Sequence, residues 1–193
     1  MEAVLWRAFP WDPEAAPGEP FTPSHVPVRQ GAGRFDVSAS PVLYLAESPE
    51  HAVAEKLQRY RGLELAAPDL VEWGHHLALV PVELADRVRE AVVNLCDPDE
   101  LARWRIGPDT LASRDYRRTR AVAEALYEER KTGLRWWSAF SGDWHTVVVF
   151  CSRLSKGDLI FGAPDRLGLD TPALRVAAAE VGVHLVRYGR SRR

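Results

Sequence analysis

The stretch that most limits how this chain can fold is PVLYLAESPEHAVAEKLQRY, residues 41–60. Val42-Leu-Tyr-Leu-Ala46 is a short, mainly apolar run that suits a buried strand. Ser48-Pro49 follows with the residue types of an N-cap and a first helical position. Apolar positions 53, 57 and 60 then carry a helix to about Tyr60. One carboxylate, Glu55, lies inside that helix and shares a side with Ala52 and Arg59, because residues three and four apart stack on one face. Whether Glu55 is a solvated surface charge or the reason for the unit is the question the sequence raises.

Around this unit the chain reads as short strands mixed with helices, without regular strand–helix alternation. Val4-Leu5-Trp6 begins a strand, and residues 10–33 are too rich in Pro, Gly and Ala to be regular throughout. Loops of that length inside a compact domain are usually functional or mobile. His76–Leu84 is strand-like, and Pro81 predicts that it sits at an edge or a bulge. Residues 88–95 fit either a strand or a helix. Asp97-Pro-Asp-Glu100 is a capping signature for a short helix through Trp104, and a longer helix spans about Asp115 to Glu129. Gly133–Trp137 and Trp144–Cys151 form a strand pair, with Ser138 and Ser141 in the turn. A strand-like Leu159–Phe161, a helix from Pro172 to Val181 and a strand at His184–Val186 complete an α+β architecture of a mixed, curved sheet with flanking helices. The expected organisation is a single domain, 1–193, closed by a strand–helix–strand extension over 154–193.

Composition bounds the function. At 193 residues, 46% hydrophobic and 27% charged, the chain can bury a real core. No apolar run approaches the ~20 residues of a membrane span and no signal pattern opens the chain, so the expected place is the cytoplasm, without membrane attachment. Cys96 and Cys151 lack paired spacing, which fits a reducing compartment. A net charge of −2 gives no global attraction to nucleic acid, and direct nucleic-acid binding is not expected. The basic residues are 22 Arg against 3 Lys. Codon composition explains much of that bias, but arginine's planar fork is also the better ligand for a diphosphate.

Familiar chemistry is largely excluded. His75 and His76 are strand neighbours pointing to opposite faces and cannot share an ion, and neither HExxH nor CxxC occurs, so no metal is expected. GxxxxGK[ST], GxGxxG and GxSxG are absent as well. What remains is a set of polar residues in awkward places: Arg7 after an apolar strand start, Arg34 between Gly33 and Phe35, Tyr44 in a strand, Glu55 in the next helix and Ser138 after Trp136-Trp137. Taken singly, each also reads as an ordinary stacked, core or solvated side chain.

Taken in order, they resemble the RES-domain family, the toxin half of bacterial toxin–antitoxin pairs. Leu5-Trp6-Arg7 comes first. Gly33-Arg34-Phe35-Asp36 stands where the family tends to show Gly-Arg-Trp-Asn, and Tyr44 leads through Ser48-Pro49 to Glu55. Gly133-Leu-Arg-Trp-Trp-Ser138 then runs into Val147-Val-Val-Phe150, so the resemblance covers about residues 4–153. It implies an ADP-ribosyltransferase-like fold and a chain that consumes NAD. The reaction would be cleavage of the nicotinamide–ribose bond by hydrolysis or phosphorolysis, or mono-ADP-ribosylation of a protein. A non-catalytic binding module is the remote alternative. By the resemblance Glu55, Arg34 and Tyr44 are catalytic, and Arg7, Arg34, Tyr44 and Ser138 bind NAD. Ser141 is close enough to compete with Ser138 for its role. The implied partner is an Xre-like helix-turn-helix antitoxin, in a hetero-oligomer or beside a homodimer.

Overall fold

The structure is a computed structural model and describes residues 1–2, 4–27, 31–138 and 140–187. Residues 28–30 of the Pro- and Gly-rich stretch, Ala139 and the end of the C-terminal extension lie outside the described residues. In chain order the elements are β1 (Val4–Trp11), β2 (Val42–Ala46), α1 (Pro49–Leu57), β3 (Glu64–Leu65), β4 (Val71–Glu72) and β5 (His75–Leu84). Then come α2 (Asp86–Glu90), β6 (Val92–Asn94), α3 (Pro98–Arg103), α4 (Pro108–Ala112), α5 (Tyr116–Glu128), β7 (Gly133–Trp137) and β8 (His145–Phe150). The chain closes with β9 (Leu159–Phe161), β10 (Asp165–Arg166), α6 (Pro172–Val181) and β11 (His184–Leu185).

The main sheet runs β10-β5-β1-β2-β8-β7-β6, with β4 and β9 also paired to β5. It is mixed and mostly antiparallel: β6–β7 is a parallel pair, and β3–β11 forms a small parallel sheet apart. Helices cover it, so strand β2 is buried along nearly its whole length, as a strand covered on both faces must be. Val53, Ala54 and Leu57 of α1 pack with Leu174, Ala177 and Val181 of α6. A second cluster joins Phe35, Leu111, Ala123 and Leu126 to Leu134 and Phe150. Each such side chain taken fully out of water contributes roughly 1.5–3 kcal/mol.

The strand–cap–helix unit forms from local signals. Ser48 Oγ accepts the His51 N–H at 3.1 Å, Pro49 sits in the first turn, and α1 passes at Leu57 into a 3₁₀ turn, Gln58–Tyr60. Asp97 and Asp115 cap α3 and α5 in the same way. Residues 88–95 divide between both expected states, the end of α2 and the whole of β6.

Pro81 corrects one expectation, because β5 is neither an edge nor bulged there. It pairs with β1 over eight residues on one side, with Pro81 opposite Trp6. On its other side the partner changes, from β10 at Ala78–Leu79 to β9 at Val82–Leu84. The missing proline N–H falls in that gap, where a ladder donor is not required.

The β4–β5 hairpin has its own irregularity. Glu72 pairs with His75, leaving a two-residue turn of Trp73 and Gly74 at φ 55° and 85°. Both values are left-handed, the type I′ geometry that Asn-Gly suits best. A tryptophan held there costs on the order of 1–3 kcal/mol.

Candidate active site

Strands β1 and β2 join at one residue pair, Trp6 with Ala46. Beyond it consecutive residues of both strands, 6–10 and 42–46, line one cavity of about 1050 Å³. Along a strand alternate side chains point to opposite faces, so a cavity on one face meets every second residue. Unbroken runs from two neighbouring strands mean that this one enters between them. The sheet is splayed, and α1 crosses the opening. The volume reaches the upper end of the usual small-molecule range. Arg7, Arg34, Tyr44, Glu55 and Ser138 all line it; Ser141 is not among the lining residues.

Glu55 projects from α1 with its side chain 47% exposed. Its carboxylate meets His51 Nε2 at 3.3 Å, one turn earlier, and Gln58 Nε2 at 3.5 Å. His51 is fully buried and stacked on Trp144 at 5.3 Å, with Phe140 edge-on. Its Nδ1 lies 3.2 Å from the His145 carbonyl, which can only accept, so Nδ1 carries a hydrogen. The contact from Nε2 holds the Glu55 side chain from one turn earlier on α1. Below this, Arg135 grips Glu47 through two 2.8 Å bonds, and His145 Nδ1 adds a 3.2 Å contact. Burial works to raise the Glu47 carboxyl, but Arg135 outweighs it and the group is held below its usual range. This brace fixes the turn from β2 into α1.

Arg34 is placed by a clasp. The Tyr44 hydroxyl donates to Asp36 Oδ1 at 2.8 Å and accepts the Phe35 N–H at 2.9 Å. Asp36 Oδ2 takes the N–H groups of Gly31 and Gly33 at 2.7 and 2.8 Å. Burial, foremost, pushes the Tyr44 hydroxyl up, which keeps it protonated as the donor this arrangement needs. From α5, Arg120 Nε donates to the Gly33 carbonyl at 2.9 Å. The Arg34 guanidinium lies over the Tyr116 ring, and its Nη1 is bound to the Leu111 and Ser113 carbonyls, each at 2.8 Å. Among the described residues no hydrogen bond engages Nε or Nη2, the edge that grips an anion with two parallel bonds.

Arg7 donates to the carbonyls of Pro23 and His25, the latter at 2.8 Å, and so straps the 20–27 segment across the cavity. Burial lowers its guanidinium to about 10, still protonated at neutral pH. Ser138 pairs through its N–H with the Trp144 carbonyl at 2.7 Å, and its Oγ accepts the Phe140 N–H at 3.2 Å. The hydroxyl hydrogen is left to point elsewhere. Among the described residues no group of three His, Cys, Asp or Glu is placed to hold a metal, and no helix is long and apolar enough to cross a membrane.

A family model described as "RES domain" matches residues 4–164. The chain belongs to the RES-domain family. Among solved structures, a chain of the M. tuberculosis MbcT–MbcA toxin–antitoxin complex is similar to it, with a TM-score of 0.59 and 18% identity over 91% of this chain and 88% of that one. At that identity the likeness concerns the fold. No match was found among curated proteins.

Two further residues of this RES domain's site, His51 and Asp36, position the side chains expected to act there. His51 has one signal in the sequence, its spacing of four before Glu55 on α1. Asp36 stands where the family tends to have Asn, and its carboxylate accepts from the Gly31 and Gly33 N–H groups and the Tyr44 hydroxyl. For the reaction proposed below, His51→Gln is expected to lower kcat about 10- to 100-fold with KM nearly unchanged, because His51 holds the Glu55 side chain in place. Steady-state kinetics beside a melting curve check this, and a change confined to KM contradicts it.

Proposed function

We propose that this RES-domain protein is the toxin of a toxin–antitoxin pair and cleaves NAD at the bond between nicotinamide and ribose. The observation that carries the reading is the convergence in one cleft of the Glu55 carboxylate, the open edge of Arg34 and the wall formed by Tyr44. The Arg34 edge suits a diphosphate oxygen pair, and Ser138 has a hydroxyl to offer a ribose or carboxamide oxygen. As the C–N bond breaks, its electron pair goes to the nicotinamide nitrogen, which loses its positive charge and leaves neutral. No general acid is needed. Positive charge builds on the ribose as an oxocarbenium ion, and a fixed carboxylate facing it is worth more in the transition state than in the ground state. A water or phosphate oxygen then bonds to the ribose carbon; water gives up its proton to solvent or to the Glu55 carboxylate.

Purified protein incubated with NAD is expected to release nicotinamide and free ADP-ribose, read by chromatography. A strict requirement for phosphate would assign phosphorolysis, and label fixed to a protein band would assign transfer. Absence of nicotinamide under all three conditions overturns the reading. The partner we propose is a helix-turn-helix antitoxin that binds this chain and restrains it.

A further inference from the structure

We propose that Trp73 and Phe21 form a stacking platform for a purine base at the end of the cleft remote from Ser138; the choice of the adenine of NAD as that base rests on the reading above. Among the described residues four non-glycines have a left-handed φ, and the two aromatic ones, Phe21 at 67° and Trp73 at 55°, both line the cavity. Trp73 is 81% exposed, so neither packing nor turn chemistry explains its presence where asparagine would be at ease. Phe21 has one ring face against His75, its centroid 4.2 Å away, and His75 belongs to the same hairpin as Trp73. The platform is therefore built from two segments already in contact.

Its position relative to the chemistry is fixed. Glu72, next to Trp73, binds Lys56 at 3.0 Å and Arg59 at 2.8 Å, and both belong to the helical segment that carries Glu55. The hairpin extends β5, while Ser138 follows β7, four strands further along the sheet order. Flat aromatic surface with few donors accepts any base by its π-face, which is what holding the non-reacting nucleotide requires.

Trp73→Asn tests this, since it removes the ring yet gives the turn its favoured residue, so misfolding cannot account for a loss. AMP affinity, measured by calorimetry or ligand-observed NMR, is expected to fall about tenfold or more. Trp73→Phe should retain most of it, nicotinamide mononucleotide should bind wild type and Trp73→Asn alike, and the Asn variant should melt higher than wild type. Equal AMP binding by wild type and Trp73→Asn overturns the platform, as does a wild type that binds no AMP or a matching loss of mononucleotide binding. Nicotinamide release is a separate readout: a wild type that binds AMP through Trp73 but leaves NAD intact removes the NAD-cleaving reading and keeps the platform.

Discussion

Glu55→Gln is expected to cut nicotinamide release about 100- to 1,000-fold, the usual cost of removing one fixed electrostatic group from a charge-developing transition state. The substitution keeps shape and removes charge. Its amide N–H groups can still donate to His51 Nε2, so the side chain keeps its direction while the ribose cation loses its counter-charge. Glu55 is partly exposed and its contacts at 3.3 and 3.5 Å are long, so stability should move by no more than about 0.5 kcal/mol. Nicotinamide release under single-turnover conditions, beside a melting curve, measures both. Undiminished turnover would remove Glu55 from the mechanism.

Gly33→Ala is expected to damage fold and activity together. A Cβ at this position would lie 2.2 Å from Asp36 Oδ1 and 2.3 Å from the Tyr44 hydroxyl. Neither oxygen can yield cheaply, because Asp36 is held by the N–H groups of Gly31 and Gly33 and Tyr44 by that of Phe35. Relief means breaking the clasp and leaving buried polar groups unpaired, at about 2–4 kcal/mol, or roughly 5–15 °C in Tm for a chain this size. Arg34 is the next residue, so whatever shifts Gly33 also shifts the guanidinium edge proposed to meet the diphosphate. Thermal unfolding and the KM for NAD read the two effects. A variant that melts like wild type would show that the clasp is looser than its distances imply.

What could be read from the sequence was what is local. Val42–Ala46, the Ser48 cap and the helix after it depend on neighbours within a few residues, and they stand where the pattern put them. The caps at Asp97 and Asp115 are similar. Pro81 misled because a strand's neighbours on one side can change midway, and no local signal reports that. The splay between β1 and β2 is likewise long-range: β1 runs five residues beyond its Val4-Leu5-Trp6 start, and its whole length is held by β5, some 70 residues later. The family resemblance grouped Arg7, Arg34, Tyr44, Glu55 and Ser138, which periodicity alone could not do. It offered nothing for His51 or the Asp36 clasp, because both roles arise only once side chains from separate elements meet.

A sheet that parts along its middle puts peptide groups, and not only side chains, on the walls of the opening. Between Arg7 and Pro10 on one strand and Leu43 and Leu45 on the other, the ladder across the gap is not closed, and backbone donors and acceptors out of reach of each other need water or a guest. That portion of the surroundings is the same whatever amino acids the strands carry. Genetic change can strip this cleft of its charges, but its amide lining is beyond the reach of any substitution that spares the sheet.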